Sequence, residues 1–258
     1  MFSVIPNTSA LDATILRNTT ATRINSAGLV VLEAANIARI NYLTVGGAGF
    51  ILDEPQSTNL ITQSNNLADS VWLKDTTTIT MNAGISPDGL NNAIKITSTG
   101  AGASVRTNYN PPKVLTHARS IWAKTVTGTG TTSLLAFNSN ANSVFNITNS
   151  WQRFTLNSYN STGAESFYAV DFRGAGNTLS EILVWESQAE TGAMTSNIFT
   201  GAAAVTRNAD VITLAPPSGT VKITTTFSNN TTQVLTTIPA TYTMPEGLIK
   251  SVNFNTTL

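Results

Sequence analysis

Short runs of alternating apolar and polar residues, cut repeatedly by Gly, Asn, Ser and Pro, fill this chain from end to end and leave almost no room for helix. The stretch Phe167–Leu214 shows the pattern well. Two β runs, Phe167–Phe172 and Ile182–Ser187, flank a Gly-rich turn at Gly174–Asn177, and a polar, small-residue tail leads to a third run, Val211–Leu214. Successive side chains of a strand point to opposite faces. Runs of about 4–8 residues bounded by turn residues therefore read as antiparallel strands.

The pattern recurs upstream at Thr76–Asn82, Ala93–Thr97, Ala103–Thr107, Ala118–Val126, Ser133–Phe137 and Trp151–Leu156. Alternation places Phe154 and Leu156 on one face, with Trp151, Arg153 and Thr155 on the other. It also puts Tyr168, Val170 and Phe172 on a shared face, Asp171 on the Phe167–Ala169 face, and Glu186 with Ile182 and Val184. Ser86-Pro87-Asp88-Gly89 is a turn in which Pro sets φ and Gly permits a positive φ. Many short strands with turn-rich joins indicate an all-β protein built as an antiparallel β-sandwich. Periodicity leaves the choice between a jelly roll and another Greek key open.

Three segments are expected. Residues 1–60 read as an extended N-terminal arm with the first strands, a hairpin or bulge at Gly46-Gly47 and Gly49, and room for a helical turn or two over Val31–Ile40. Residues 61–214 form the sandwich. After the break Ala215-Pro216-Pro217-Ser218-Gly219, residues 215–258 form a small C-terminal β unit with a hairpin turn at Asn229-Asn230. About 40 residues hold no core alone, so this unit is expected to pack on the sandwich or on a neighbouring subunit.

Composition excludes several functions. Charged residues make up 11% of the 258 and the formal net charge is zero, so no basic field exists to hold nucleic acid. There are no cysteines, which removes disulfides, thiolate metal sites and thiol nucleophiles. No stretch has the length of apolar sequence that spans a bilayer. The N-terminus MFSVIPNTSALDATIL shows no signal peptide. A protein acting outside a cell without one points to release by lysis, and so to a virion.

An ordered set of segments carries a resemblance. NTTATRINSAGLVVLEAANIARINY precedes GFILDEPQSTNLITQSNNLADSVWLKD and ISPDGLNNAIKI; later come ARSIWAKTV, NSWQRFTL and ILVWESQAETGAMTSNIFTGAAAVTRNADVITL. Over residues 17–214 this resembles a module of bacteriophage tail-fibre, head-fibre and spike proteins, with its R-x-Y/H segment, its Trp, its P-D-G turn and its closing Q-x-E-x-G…T-R-x-x-D. The resemblance implies a jelly-roll sandwich similar to carbohydrate-binding modules of the concanavalin or galactose-binding sort. It further implies a homotrimeric appendage seated on other virion proteins (capsid, penton or tail) and touching a host-surface glycan. The module also has a G-L-L-I-E-x-x-R-T-N-L-like stretch, from which this chain departs at Gln56-Ser57-Thr58-Asn59: Ser57 stands where Arg is usual.

Chemistry candidates are few. His117 is the single histidine and no G-x-S-x-G elbow accompanies it; it reads as a structural or surface residue. The candidate acids for glycoside hydrolysis are Asp53, Glu54, Glu165, Asp171, Glu181, Glu186, Glu190 and Asp210. A lone acid on a sandwich face more often pairs with Lys or Arg, so no catalytic residue is assigned. The oxygen-rich turn Ser86–Gly89 with Asn91-Asn92 is where a structural calcium would sit, although no EF-hand pattern is present. Trp72, Trp122, Trp151 and Trp185 match core-like positions of the resembled module, which implies that they are buried. Tyr109 in RTNYNPP and Tyr159 in NSYNST are read as aromatics in polar loops, where an aromatic offers a platform to sugar.

The function expected is a non-enzymatic phage spike or fibre subunit that attaches to host glycan. The alternatives are a carbohydrate-binding module of a bacterial surface or secreted protein, and a polysaccharide-degrading glycosidase.

Overall fold

A computed structural model describes residues 2–4, 13–107, 116–137, 144–159 and 166–256, and every regular element among them is a strand. The first seven are β1 (Phe2–Val4), β2 (Ala13–Leu16), β3 (Ala21–Ile24), β4 (Val30–Glu33), β5 (Arg39–Tyr42), β6 (Gly49–Asp53) and β7 (Ser57–Asn59). Then follow β8 (Trp72–Asp75), β9 (Thr77–Thr80), β10 (Ile94–Ser98), β11 (Ser104–Thr107), β12 (His117–Lys124), β13 (Gly130–Phe137), β14 (Val144–Ile147), β15 (Gln152–Tyr159), β16 (Phe167–Asp171) and β17 (Glu181–Thr191). The last are β18 (Val205–Arg207), β19 (Val211–Leu214), β20 (Lys222–Phe227), β21 (Thr232–Leu235), β22 (Tyr242–Thr243) and β23 (Gly247–Asn255).

Two compact units result. One is Thr58–Thr206; the other joins Met1–Ser57 to Arg207–Leu258. The chain thus passes between units at Ser57–Thr58 and Thr206–Arg207, against the boundaries after residues 60 and 214 drawn from composition.

The central unit holds two five-stranded sheets, ordered β15-β12-β17-β10-β9 and β14-β13-β16-β11-β8. Apart from the β13–β14 hairpin, strands β10 to β17 alternate between the two sheets, so that β10-β17-β12-β15 faces β11-β16-β13-β14. That is the strand order of a jelly roll, two Greek keys wrapped into one sandwich. Its core sets Ile94, Ile96, Ile121, Ile182 and Val184 of the first sheet against Val105, Leu134, Phe167 and Val170 of the second. All of these are shut off from solvent.

Two bulges change which side chains face inward. In β17 the pairing steps from Ile121↔Ser187 to Trp122↔Trp185, which leaves Glu186 over. Glu186 takes φ 55°, the left-handed conformation that accompanies such an extra residue. Ile182 and Val184 face the core before the bulge and Ala189 after it. Glu186 therefore does not share their face, and Gln188 and Glu190 end on the opposite side. In β16 the partner register shifts between Val105 and Arg106 and leaves Ala169 unpaired. Phe167, Ala169 and Val170 all join the core, while Tyr168 pairs outward with Arg106 and lies under the Arg173 guanidinium, 4.8 Å from its ring. The expected faces of Tyr168 with Val170, and of Asp171 with Phe167, are corrected accordingly.

In the terminal unit, a sheet ordered β21-β20-β23-β6-β5 carries β1 beside β23, a three-stranded sheet runs β2-β19-β22, and β3 pairs with β4. The register Ile51↔Ile249 ties β6 to β23, so the two ends of the chain share one sheet. They also share a core of Ile51, Ile212, Leu214, Ile223, Val252 and Phe254. Neither end has enough apolar area to bury alone; together they do. Val31–Ile40 forms no helical turn: Val31 and Leu32 lie in β4, opposite Arg23 and Thr22, in a strand that opens on the β-branched Val30 and Val31. The Asn229-Asn230 hairpin turn is present, with Asn230 at φ 64° and Asn229 Oδ1 accepting from Thr231 N at 3.0 Å.

Candidate sugar platform

The sequence candidates are scattered. Tyr109 and Glu165 lie outside the described residues. Tyr159 is the last residue of β15 rather than part of a loop, with its backbone opposite His117; its side chain is outside the described set. His117 is fully buried in the first sheet.

Two of these acids, Asp210 and Glu54, converge, but on arginines. In the terminal unit Arg17 Nη1 donates to Asp210 Oδ1 at 2.7 Å, Arg39 bridges Asp210 and, at 2.8 Å, Glu54, and Arg207 lies 3.5 Å from Glu54. All three guanidiniums are buried. Asp53 stands beside this cluster with Oδ2 unpartnered. Burial, then the Asp210 and Glu246 charges, push it up to about 8. Elsewhere Asp171 is clamped by Arg173 and Glu181 by Lys95. Glu190 accepts from Thr195 N and Oγ1 at 3.2 and 3.0 Å. Glu186 accepts from Ser64 Oγ at 3.2 Å, and full burial raises its pKa well above the carboxylate range. These partners hold strands and turns together.

The Ser86–Gly89 turn is wound around Asp88. Its Oδ1 accepts from Ser86 Oγ and from Leu90 N, and its Oδ2 from Asn92 Nδ2 at 2.9 Å. The carboxylate that a cation would use is spent on the turn itself. Among the described residues no group of three or more His, Asp or Glu is placed to hold a metal.

The tryptophans divide into two kinds. Trp72 and Trp185 are buried as expected: Trp72 Nε1 donates to Gln63 O at 3.0 Å, and Trp185 packs edge-on to Phe199 at 5.5 Å. Trp122 and Trp151 are only part-buried. Both stand on the outer face of the first sheet, with Arg153 opposite Trp122. Alternation in 151–155 set Trp151 and Arg153 on the face opposite Phe154 without showing which face meets the core; the expected burial of Trp122 and Trp151 is corrected, because their face of the sheet is the outer one and the chain covers it only in part.

Two segments lie on this face. One is 194–200: Arg153 Nη1 donates to Thr195 O at 2.8 Å, Gln188 Nε2 to Ser196 O at 3.0 Å, Ile198 N to Gln188 Oε1 at 2.8 Å, and Trp122 Nε1 to Asn197 Oδ1 at 3.1 Å. The other is 83–93, closed by Ala83 N to Ala93 O and Ala93 N to Gly84 O. It reaches Trp151, whose Nε1 donates to Ile85 O at 2.9 Å. Trp122, Lys124 and Trp151 remain part-exposed beside these segments. Lys124 Nζ sits 5.2 Å from the Trp151 ring centroid. The Asp88-centred turn holds out Ile85 and Leu90, 57% and 61% exposed. Both indole N–H groups are satisfied from within, so what these tryptophans offer outward is ring surface.

No protein-family model matches the chain, and no curated protein matches it. Among solved structures it is similar to the CBM22-1 xylan-binding domain of Paenibacillus barcinonensis Xyn10C, at 12% identity over 53% of this chain and 94% of that one, TM-score 0.37. The tandem CBM22-1–CBM22-2 domain of the same protein aligns at 10% identity over 78% of this chain and 84% of that one, TM-score 0.40. The CBM22-1–GH10 modules of Clostridium thermocellum xylanase 10B, complexed with xylohexaose, align at 10% identity over 53% of this chain and 28% of that one, TM-score 0.35. Identities and TM-scores this low transfer no ligand and no residue role.

Proposed function

We propose that this chain is a non-catalytic glycan-binding protein whose sugar platform is the Trp122–Trp151 strip of the jelly roll. The observation that carries the proposal is Trp151. Its N–H is committed to Ile85 O while the indole stays part-exposed beside two outward apolar side chains. A pyranose presents apolar C–H faces to an aromatic ring and hydroxyls to polar neighbours, which matches a strip bordered by Asn197, Thr155 and Lys124. The acids favour binding over hydrolysis, because those described are engaged with structural partners or buried.

Tyr109 and Tyr159, flanked by Asn and Ser, are proposed as further contacts on composition alone. The virion setting, the homotrimer and the capsid, penton or tail partners rest on the ordered resemblance across residues 17–214. A binding module of a bacterial surface or secreted protein is the second reading, favoured by the sandwich itself, which needs no virion to present such a strip. Glycan-array binding of the wild type and of Trp151→Ala tests the function. Binding lost in the variant, with an unchanged circular-dichroism spectrum, is expected; equal binding overturns the platform.

A further inference from the structure

Lys124 sets the strip apart from a neutral sugar platform. Its ammonium stands over the Trp151 ring, and among the described residues no carboxylate pairs with it. The other cation of the strip is differently placed: Arg153 donates to Ser120 Oγ at 3.1 Å and Thr195 O at 2.8 Å, and its Nη2 lies 3.3 Å from Met194 Sδ. Its fork is spent on holding segment 194–200. Asp88, the acid of the adjoining turn, is spent on Ser86, Leu90 and Asn92. The strip therefore presents one available point charge, positive, with three donors, next to aromatic and apolar surface.

Resting on the glycan-binding reading above, we infer that the strip takes a polysaccharide bearing uronic acid, with a sugar carboxylate on Lys124 and a ring face of the chain on Trp151. A single ammonium suits an isolated carboxylate; a nucleic acid or polyphosphate needs several cations in a row, and Arg rather than Lys supplies a two-pronged fork for phosphate. The apolar neighbours Ile85 and Leu90 suit the C–H faces between acid groups. An acidic sugar also draws Lys124 off the indole, so ring face and charge become available together.

Affinity electrophoresis of the full chain tests this, in gels containing polygalacturonate or the same polymer with its carboxyls reduced to alcohols. Retardation is expected to be stronger in the acidic polymer and to weaken with salt. Lys124→Met is expected to lower affinity for the acidic polymer about tenfold, the scale of one charge-assisted hydrogen bond, and to leave the reduced polymer unaffected. Trp151→Ala is expected to lose both. Equal retardation in both polymers, or a Lys124→Met variant that behaves as wild type, overturns the acidic preference and leaves glycan binding standing. No retardation of the wild type in either gel overturns the acidic preference, and the glycan array of the wild type decides glycan binding itself. Lys124 is part-exposed, so its variant keeps the fold, as a thermal scan will verify.

Discussion

Arg17 and Asp210 stand 193 residues apart in the chain and 2.7 Å apart in space, both buried. Arg39 and Arg207 close on the same acid, with Glu54 as the second counter-charge. The Thr206-Arg207-x-x-Asp210 segment and Arg39 of β5 thus meet in one ion cluster. Taking out one partner of a buried pair strands the other charge, which costs more than the pair itself contributes. Asp210→Asn leaves the arginines facing Glu54 alone and is expected to destabilise by ~3–5 kcal/mol. Urea unfolding followed by far-ultraviolet circular dichroism measures it; a midpoint equal to wild type contradicts the account.

Asp53 makes stability depend on pH. Its folded value, about 8, lies above its ordinary 3.8, chiefly through burial, with Asp210, Glu246 and Glu54 raising it and Arg39 opposing. The folded state then holds a proton that the unfolded chain releases. The stability this contributes is complete below pH 3.8 and is lost as pH rises toward 8. Asp53→Asn abolishes that dependence. The melting temperature of the variant minus that of wild type is expected to grow more positive from pH 5 to pH 8.5; a constant difference refutes it.

The two kinds of tryptophan predict opposite phenotypes. Trp72→Ala empties a buried site against Phe167 and is expected to cost ~3–5 kcal/mol. Trp151→Ala forfeits one indole hydrogen bond, about 1 kcal/mol, but removes the ring face proposed to bind sugar. Thermal shift and glycan binding, measured on both, separate a core role from a platform role.

Gly130 is required for space. A Cβ there would lie 2.3 Å from Leu179 Cδ2 and 2.7 Å from its Cγ, and Leu179 packs on the sandwich core. Gly130→Ala is expected to cost ~1–3 kcal/mol through overpacking. Gly174→Ala, with nothing near its Cβ but φ 86°, is expected to cost about 1 kcal/mol from backbone strain alone. Denaturant midpoints of the two variants will show whether the order holds.

The all-β class, the position of most strands, and turns such as Ser86–Gly89 and Asn229-Asn230 were legible in the residues, because alternation and turn chemistry are local properties of adjacent positions. So was the placement of Trp151, Arg153 and Thr155 on one face. Faces beyond a bulge were not. Glu186 and Ala169 are extra only relative to the strands opposite them, and no single strand records its partner's register. The pairing of β6 with β23, the meeting of Arg17, Arg39 and Arg207 on Asp210, and the part-exposure of Trp122 and Trp151 beside segments 83–93 and 194–200 share that cause. Each depends on residues far apart in the chain, so it exists only once the sheets have closed and two distant segments compete for the same surface.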